Sequence, residues 1–280
     1  MEAVSTIGHY TSCKVCASPR LNVADSIHRL VECDECGLIF AHTIYSNIEL
    51  TDLYTTLYST GQGYDSHYAA AFNQLKHGKT PWIGLESRAV LRHILRARVK
   101  VVGELGASAG MTAQYLKPYG VKYHGIEFDR KTAEMGRRLG YDITCGDHTR
   151  LREVCAELDA LVAFEVIEHV PDVRECLENI RACLKVRGLL GLTVPNYNRR
   201  LNNPRPGFLG QPAPPTHLNF WTVPSLKRTL ESCGFYPEIV RVRRRPNINC
   251  GNPAATVIAY YRMLIRRFHG PQIICVAQKI

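Results

Sequence analysis

The sequence has no apolar run near the ~20 residues that a membrane-spanning helix needs. Its most apolar stretches, Leu158–Phe164 and Ala254–Tyr261, end at charge well short of that length. Met1–Lys14 lacks the basic start and following apolar run of a secretory signal. No internal repeat or low-complexity segment is present, and 45% hydrophobic with 21% charged residues excludes a disordered or fibrous chain. The expectation is a soluble, cytoplasmic protein with no membrane partner. Long basic runs are missing too. Arg199-Arg200, Arg241–Arg245 and Arg266-Arg267 are short and do not alternate with aromatics as a base-stacking strip would. A net charge of +10 can mean nucleic acid, an acidic membrane surface or a phosphorylated substrate, or only a soluble basic surface; nucleic acid stays open as the alternative partner to a small molecule.

Cysteine, in contrast, is plentiful, with 11 in 280 residues. Seven are scattered singly, as buried reduced thiols are. The other four form two knuckles, Cys13-x2-Cys16 and Cys33-x2-Cys36, with 16 residues between Cys16 and Cys33. Two such turns supply the four soft ligands that structural zinc takes in a tetrahedron. Four thiolates leave no open position for catalysis. A segment this small has no core of its own, so metal binding is expected to drive its folding.

The length allows one large domain and a small one. Three zones follow: residues 1–45 with the paired cysteines; 46–97, tyrosine-rich and helical; and 98–280, where short apolar runs alternate with amphipathic segments as in an α/β sheet. In the last zone strands are expected at Val99–Leu105, Val121–Glu127, Tyr141–Cys145, Leu158–Glu165, Gly188–Val194, Tyr236–Val242 and Ile273–Ala277. Helices are expected at Gly110–Leu116, Lys131–Leu139, Asp172–Leu184 and Pro224–Ser232. Pro195–Pro215 reads as a long loop, and long loops in compact domains are often functional.

Glu104-Leu105-Gly106-Ala107-Ser108-Ala109-Gly110 follows a strand and opens a helix. Gly106 permits a tight turn, and Gly110 lets the helix start close to a ligand. Ser108 stands where a dinucleotide fingerprint has its middle glycine. Glu104 would repel a phosphate and suits an ammonium group, while the helix N-terminus can take a carboxylate. Glu127, 21 residues after Gly106, ends the second strand, where an acid can accept from both ribose hydroxyls. Phe128 offers an adenine a packing surface, and Asp147 an acceptor for its amino group. Each acid is otherwise a turn or cap residue.

With Gly125-Ile126-Glu127, Gly146-Asp147 and Phe164-Glu165-Val166-Ile167-Glu168-His169-Val170, this loop resembles the class I S-adenosylmethionine-dependent methyltransferases, over about residues 85–280. Residues 1–45, as a small N-terminal zinc ribbon, and the tyrosine-rich segment make the chain similar to a subgroup acting on sugars and other small metabolites. The resemblance implies a Rossmann-like seven-stranded sheet with its last strand antiparallel. It places S-adenosylmethionine at the strand carboxyl ends, against Glu104, Gly106, Ala107, Gly110, Glu127, Phe128, Asp147, Phe164 and Glu165. The tyrosine-rich segment, including Tyr54, Tyr58, Tyr64 and Tyr68, would cover the pocket, with Tyr68 against the cofactor.

Methyl transfer to a hydroxyl or carbon acid needs alignment and a base. His169 and His217 are the candidates. His169 could instead cap the Asp172 helix or orient a loop, and His217 could be a packing residue. The similar Glu-x-x-Glu-His segment of ubiquinone-pathway O-methyltransferases suggests Glu165, Glu168 and His169 as holders of a divalent ion. The expected reaction is O- or C-methylation of a small-molecule acceptor. The alternative is an RNA or protein acceptor docked on the ribbon and basic surface.

Overall fold

The computed structural model describes residues 6–59, 65–202, 205–242, 253–265 and 269–280. The N-terminal part holds β1 (Thr6–His9), β2 (Leu21–Asp25), β3 (Leu30–Cys33), β4 (Ile39–Ala41) and β5 (Thr43–Tyr45). Three helices follow, α1 (Asn47–Ser59), α2 (Asp65–Lys76) and α3 (Leu85–Arg96). The remainder alternates: β6 (Val101–Leu105), α4 (Met111–Leu116), β7 (Lys122–Glu127), α5 (Arg130–Arg138), β8 (Ile143–Cys145), α6 (Leu151–Val154), β9 (Leu158–Phe164), α7 (Val173–Cys183) and β10 (Leu184–Pro195). Then come β11 (Asn219–Phe220), α8 (Val223–Ser232), β12 (Phe235–Val242), α9 (Pro253–Leu264) and β13 (Gln272–Lys279).

Seven of these strands form one sheet in the order β12-β13-β10-β9-β6-β7-β8. β13 runs antiparallel to both neighbours, while β10, β9, β6, β7 and β8 pair in parallel. The seven strands fall at the apolar runs, and the antiparallel β13 is the one the resemblance implies. β9 lies at its centre because Ala160, Leu161, Val162 and Ala163 are buried on both faces, as a parallel core strand must be. One face packs Val90, Leu91 and Ile94 of α3 against Val102, Ala160, Val162 and Val276. The other packs α7 and α8 through Cys176, Leu177, Ile180, Leu226 and Leu230. Side-chain caps fix the helix starts: Asp129 Oδ1 accepts from Thr132 N at 2.7 Å, and Asp172 Oδ1 from Glu175 N at 2.9 Å. A Thr222–Ser225 capping box opens α8.

The cysteine segment is joined to this core. β4 pairs with β11, so β2, β3, β4 and β11 form a four-stranded sheet. Cys13, Val15, Cys33, Cys36, Leu38 and Phe40 belong to the same buried cluster as Trp221, Val170 and Phe235. β11 and α9 were not anticipated from sequence. β11 has two residues, too few for any periodicity, and its partner lies near the other end of the chain. No helix among the described residues is long and apolar enough to cross a membrane.

Candidate active site

The carboxyl ends of β6, β7, β8, β9 and β10 converge on a cavity of ≈ 900 Å³. That is the upper end of the about 300–1,000 Å³ range of small-molecule sites. Of the residues singled out above, Tyr54, Gly106, Glu127, Phe128, Asp147, Phe164, Glu165, Glu168, His169 and His217 line it. Glu104, Ala107 and Gly110 lie beneath it and shape the loop. Tyr68 sits on α2 with its side chain outside the described residues, as does that of Tyr58, and Tyr64 lies outside them altogether.

The loop geometry explains its glycines. Gly106 (φ +77°) and Gly110 (φ +94°) are left-handed. A Cβ on Gly106 would stand 2.5 Å from Val166 Cγ2, and one on Gly110 would enter the Tyr141 ring. Glu104 accepts from Thr112 Oγ1 at 2.6 Å and from the Tyr123 hydroxyl. Burial pushes its carboxyl up to about 8, against the pull of those two hydroxyls. Glu127 accepts from Ser108 N at 2.7 Å through one oxygen and from Asp129 N at 2.9 Å through the other. Burial raises its carboxyl above the ordinary value, and backbone hydrogen bonds oppose the shift. Each carboxylate oxygen keeps a further acceptor site for a ligand hydroxyl. Asp147 caps a short turn, with Oδ1 taken by Thr149 N at 2.9 Å and Thr149 Oγ1 at 2.6 Å.

Gly110→Arg should therefore block the loop and abolish binding of S-adenosylhomocysteine. Glu127→Ala should weaken it by about 10- to 100-fold, the cost of a lost hydrogen-bonded carboxylate. Glu127→Gln, which keeps one acceptor for the loop, separates ligand contact from loop support. Calorimetry with unchanged affinity in Glu127→Ala would remove Glu127 from the site.

The opposite wall is polar and buried. Glu165, directly after β9, is in the left-handed region (φ 56°), a strained conformation typical of functional sites. Glu168 is fully buried and, among the described residues, neither carboxylate oxygen has a hydrogen-bond partner. Burial, followed by the Glu165 charge, holds its carboxyl well above the usual range, and Arg199 opposes this. His169 Nδ1 lies 2.8 Å from Thr216 O, which requires that nitrogen to carry the proton and leaves Nε2 as acceptor. The ring stands edge-on to His217, with centroids 4.6 Å apart. Burial lowers the His169 imidazole below its ordinary value, while burial, His169 and Arg199 bring His217 down to about 3. Asp172, not His169, caps α7.

Ligand atoms of Glu168, His169 and His217 lie within 4.8 Å of one another and could hold a metal ion. The grouping differs from Glu165-Glu168-His169: His217 takes the third place, brought in by the chain's return from the long loop. Sequence reasoning also passed over Asn219. Its Nδ2 donates to Ile167 O and Val170 O, both at 2.8 Å, and its backbone N donates to Glu168 O at 3.0 Å. Leu218 N donates to Glu168 O at 2.7 Å, and Ala41 N of the ribbon to Leu218 O at 2.9 Å. Tyr54 of α1 closes the cavity, donating to Thr216 O at 2.9 Å with its ring edge-on to Phe128 and His169.

Outside the cavity, the sulfurs of Cys13, Cys16, Cys33 and Cys36 lie within 4.8 Å of one another. The Cys13–Cys36 and Cys16–Cys33 separations of 3.6 and 3.5 Å are far longer than a disulfide and suit the edges of a tetrahedron around zinc. Between them Lys14 donates to Pro171 O at 3.1 Å on the cavity rim. Burial brings its ammonium down to about 7, against the charges of Asp172 and Cys13.

A seven-stranded sheet with one antiparallel strand, a glycine loop after β6 and an acid ending β7 define a Rossmann-like methyltransferase fold. The chain belongs to the methyltransferase domain family, which it matches over residues 85–239. It is similar to ubiquinone biosynthesis O-methyltransferase of Coxiella burnetii, 23% identical over 152 residues, covering 49% of this chain and 65% of that protein. The chain thus spans 65% of the length of the curated relatives it matches. Among solved structures, an S-adenosylmethionine-dependent methyltransferase from Mesorhizobium loti superposes with TM-score 0.52 at 16% identity, covering 70% of this chain and 99% of that one. The complex of the Haloferax volcanii Trm112 methyltransferase activator and a methyltransferase gives TM-score 0.56 at 14% identity, covering 82% and 97%.

Proposed function

We propose that the chain transfers a methyl group from S-adenosylmethionine to a hydroxyl of a small-molecule acceptor, and that its four N-terminal cysteines hold a structural zinc. The observation that carries the transferase reading is the cavity's two-sided wall. Its glycine loop and Glu127 face the side where the cofactor would lie; its other side gathers Glu168, His169, Arg199 and His217. Bound there, S-adenosylmethionine supplies a methyl carbon activated by its sulfonium. Gly106 and Gly110 let backbone N–H groups approach the cofactor carboxylate, Glu127 accepts from the ribose, and Phe128 covers the adenine. His169 Nε2 takes the acceptor proton, with Thr216 O fixing the ring. Arg199 orients a polar or anionic group of the acceptor.

The acceptor hydroxyl is favoured over a carbon acid by the likeness to the ubiquinone-pathway O-methyltransferase of Coxiella burnetii. A metabolite extract incubated with methyl-labelled cofactor should yield one labelled small molecule; labelled RNA or protein instead would shift the reading to a macromolecular acceptor. A second reading is favoured by the unpartnered Glu168 oxygens: Glu168, His169 and His217 fit a divalent cation with mixed carboxylate and imidazole ligands. Binding of manganese followed by electron paramagnetic resonance, lost in Glu168→Gln, would support it.

A further inference from the structure

We propose that the exposed face of α9 docks the protein on an anionic phospholipid surface. Val257, Ile258, Tyr261, Leu264 and Ile265 are all exposed, the most open being Leu264 at 75%, Val257 at 68% and Tyr261 at 62%. At helical spacing these five positions, with exposed Ala254, fall within an arc of about 120°. An amphipathic helix normally turns such a stripe to the core; here it faces outward. Charge says what it faces. From Arg241 to Pro271 the sequence carries seven arginines (241, 243, 244, 245, 262, 266 and 267) and no Asp, Glu or Lys. An apolar stripe set in a purely cationic segment matches a bilayer surface, where apolar side chains enter the acyl boundary and arginines meet anionic headgroups. A second copy of the chain would bring two such cationic segments together and be repelled. Single-stranded nucleic acid would want interleaved aromatics, and the stripe is mainly aliphatic.

The position of α9 gives the contact a consequence. β12 and β10 run parallel to each other, both antiparallel to β13, so α9 leaves the sheet at the edge where the cavity opens. The chain re-enters there too. His269 N donates to Asn202 Oδ1 at 3.0 Å, and Asn196 N to Pro271 O at 2.9 Å, beside the cavity residues Pro195 and Arg199. A protein seated by α9 would hold its cavity edge beside the lipid. The absence of a spanning run does not bear on this, because a peripheral helix needs none. The inference is independent of the methyl-transfer reading.

Co-sedimentation of the full chain with vesicles tests it. Vesicles of phosphatidylcholine and phosphatidylglycerol in equal parts should pellet the protein, pure phosphatidylcholine vesicles should not, and added salt should weaken the binding. The double variant Val257→Asp/Leu264→Asp should lower partitioning by about tenfold or more. Its melting temperature and S-adenosylhomocysteine affinity should stay those of the parent, since both residues are exposed. Equal binding to neutral vesicles, no binding to anionic ones, or pelleting untouched by the double variant would overturn the proposal. So would a dimer that the double variant dissociates in a protein that ignores vesicles. Failure of the cofactor reading would appear in the calorimetry and leave the vesicle result unchanged.

Discussion

Stripping the proposed zinc from Cys13, Cys16, Cys33 and Cys36 is expected to unlock the cavity wall around Glu168 and His169 as well as the cysteine segment. Metal binding in comparable four-ligand sites is worth about 10–16 kcal/mol, more than a segment of this size can replace by packing. β4 is held between β3 and β11, and β11 continues the stretch whose backbone grips Glu168 O. Loss of β4 removes the bond from Ala41 N to Leu218 O, and loss of the Cys13–Cys16 knuckle removes the hold of Lys14 on Pro171 O. Hydrogen exchange after chelation should therefore show lost protection at Ile39–Ala41 and at Leu218–Phe220, with the strands β6, β9 and β10 still protected. A Cys33→Ser/Cys36→Ser variant should behave alike. Protein purified under reducing conditions without stoichiometric zinc would refute the metal assignment. Zinc loss that leaves Leu218 and Asn219 protected would refute the coupling while keeping the metal.

His169→Ala should lower kcat by about 10²–10⁴-fold, the usual range for a lost acid–base group. Its Nδ1 is committed to Thr216 O, so Nε2 is the free acceptor, and the ring is only half-buried at the cavity wall. His217 is a weaker base: burial and its charged neighbours bring it down to about 3, far from the neutral range in which a base works well. His217→Ala should fall less in kcat, with cofactor affinity nearly intact in both variants. The sign of the pH dependence follows from the same geometry. His169 is lowered by burial, so it is neutral and able to accept a proton at pH 7, and turnover should fall only on acidification below about 6.5. His169→Ala should lose that acid limb. Full turnover in His169→Ala would leave His169 the part of a residue that holds the Thr216 turn in place, and would return the base to His217.

How much of this was legible before the fold was known differs by element. The apolar runs from Val99 to Ala277 already dictate the strands, because a parallel strand covered on both faces must be apolar, and Leu158–Phe164 is so apart from Asp159 near its start. The two CxxC knuckles dictate their own convergence, since each is a local turn whose ligands lie close in sequence. The glycine loop and Glu127 are legible for a similar reason: they occupy adjacent strand ends, and parallel β6–β7 pairing places those ends side by side. The other wall is different. Glu168, His169, His217, Arg199 and Asn219 come from three segments with no shared periodicity, and their meeting depends on β11. That two-residue strand exists because the ribbon supplies an edge at β4 for it to join. The exposed face of α9 is of the same kind. Its sequence is apolar enough for a core, and only the tertiary structure decides that no core of the described residues covers it. Local pattern fixes what each strand and turn must be; the long-range contact that closes the site is set by burial and backbone pairing across the whole chain.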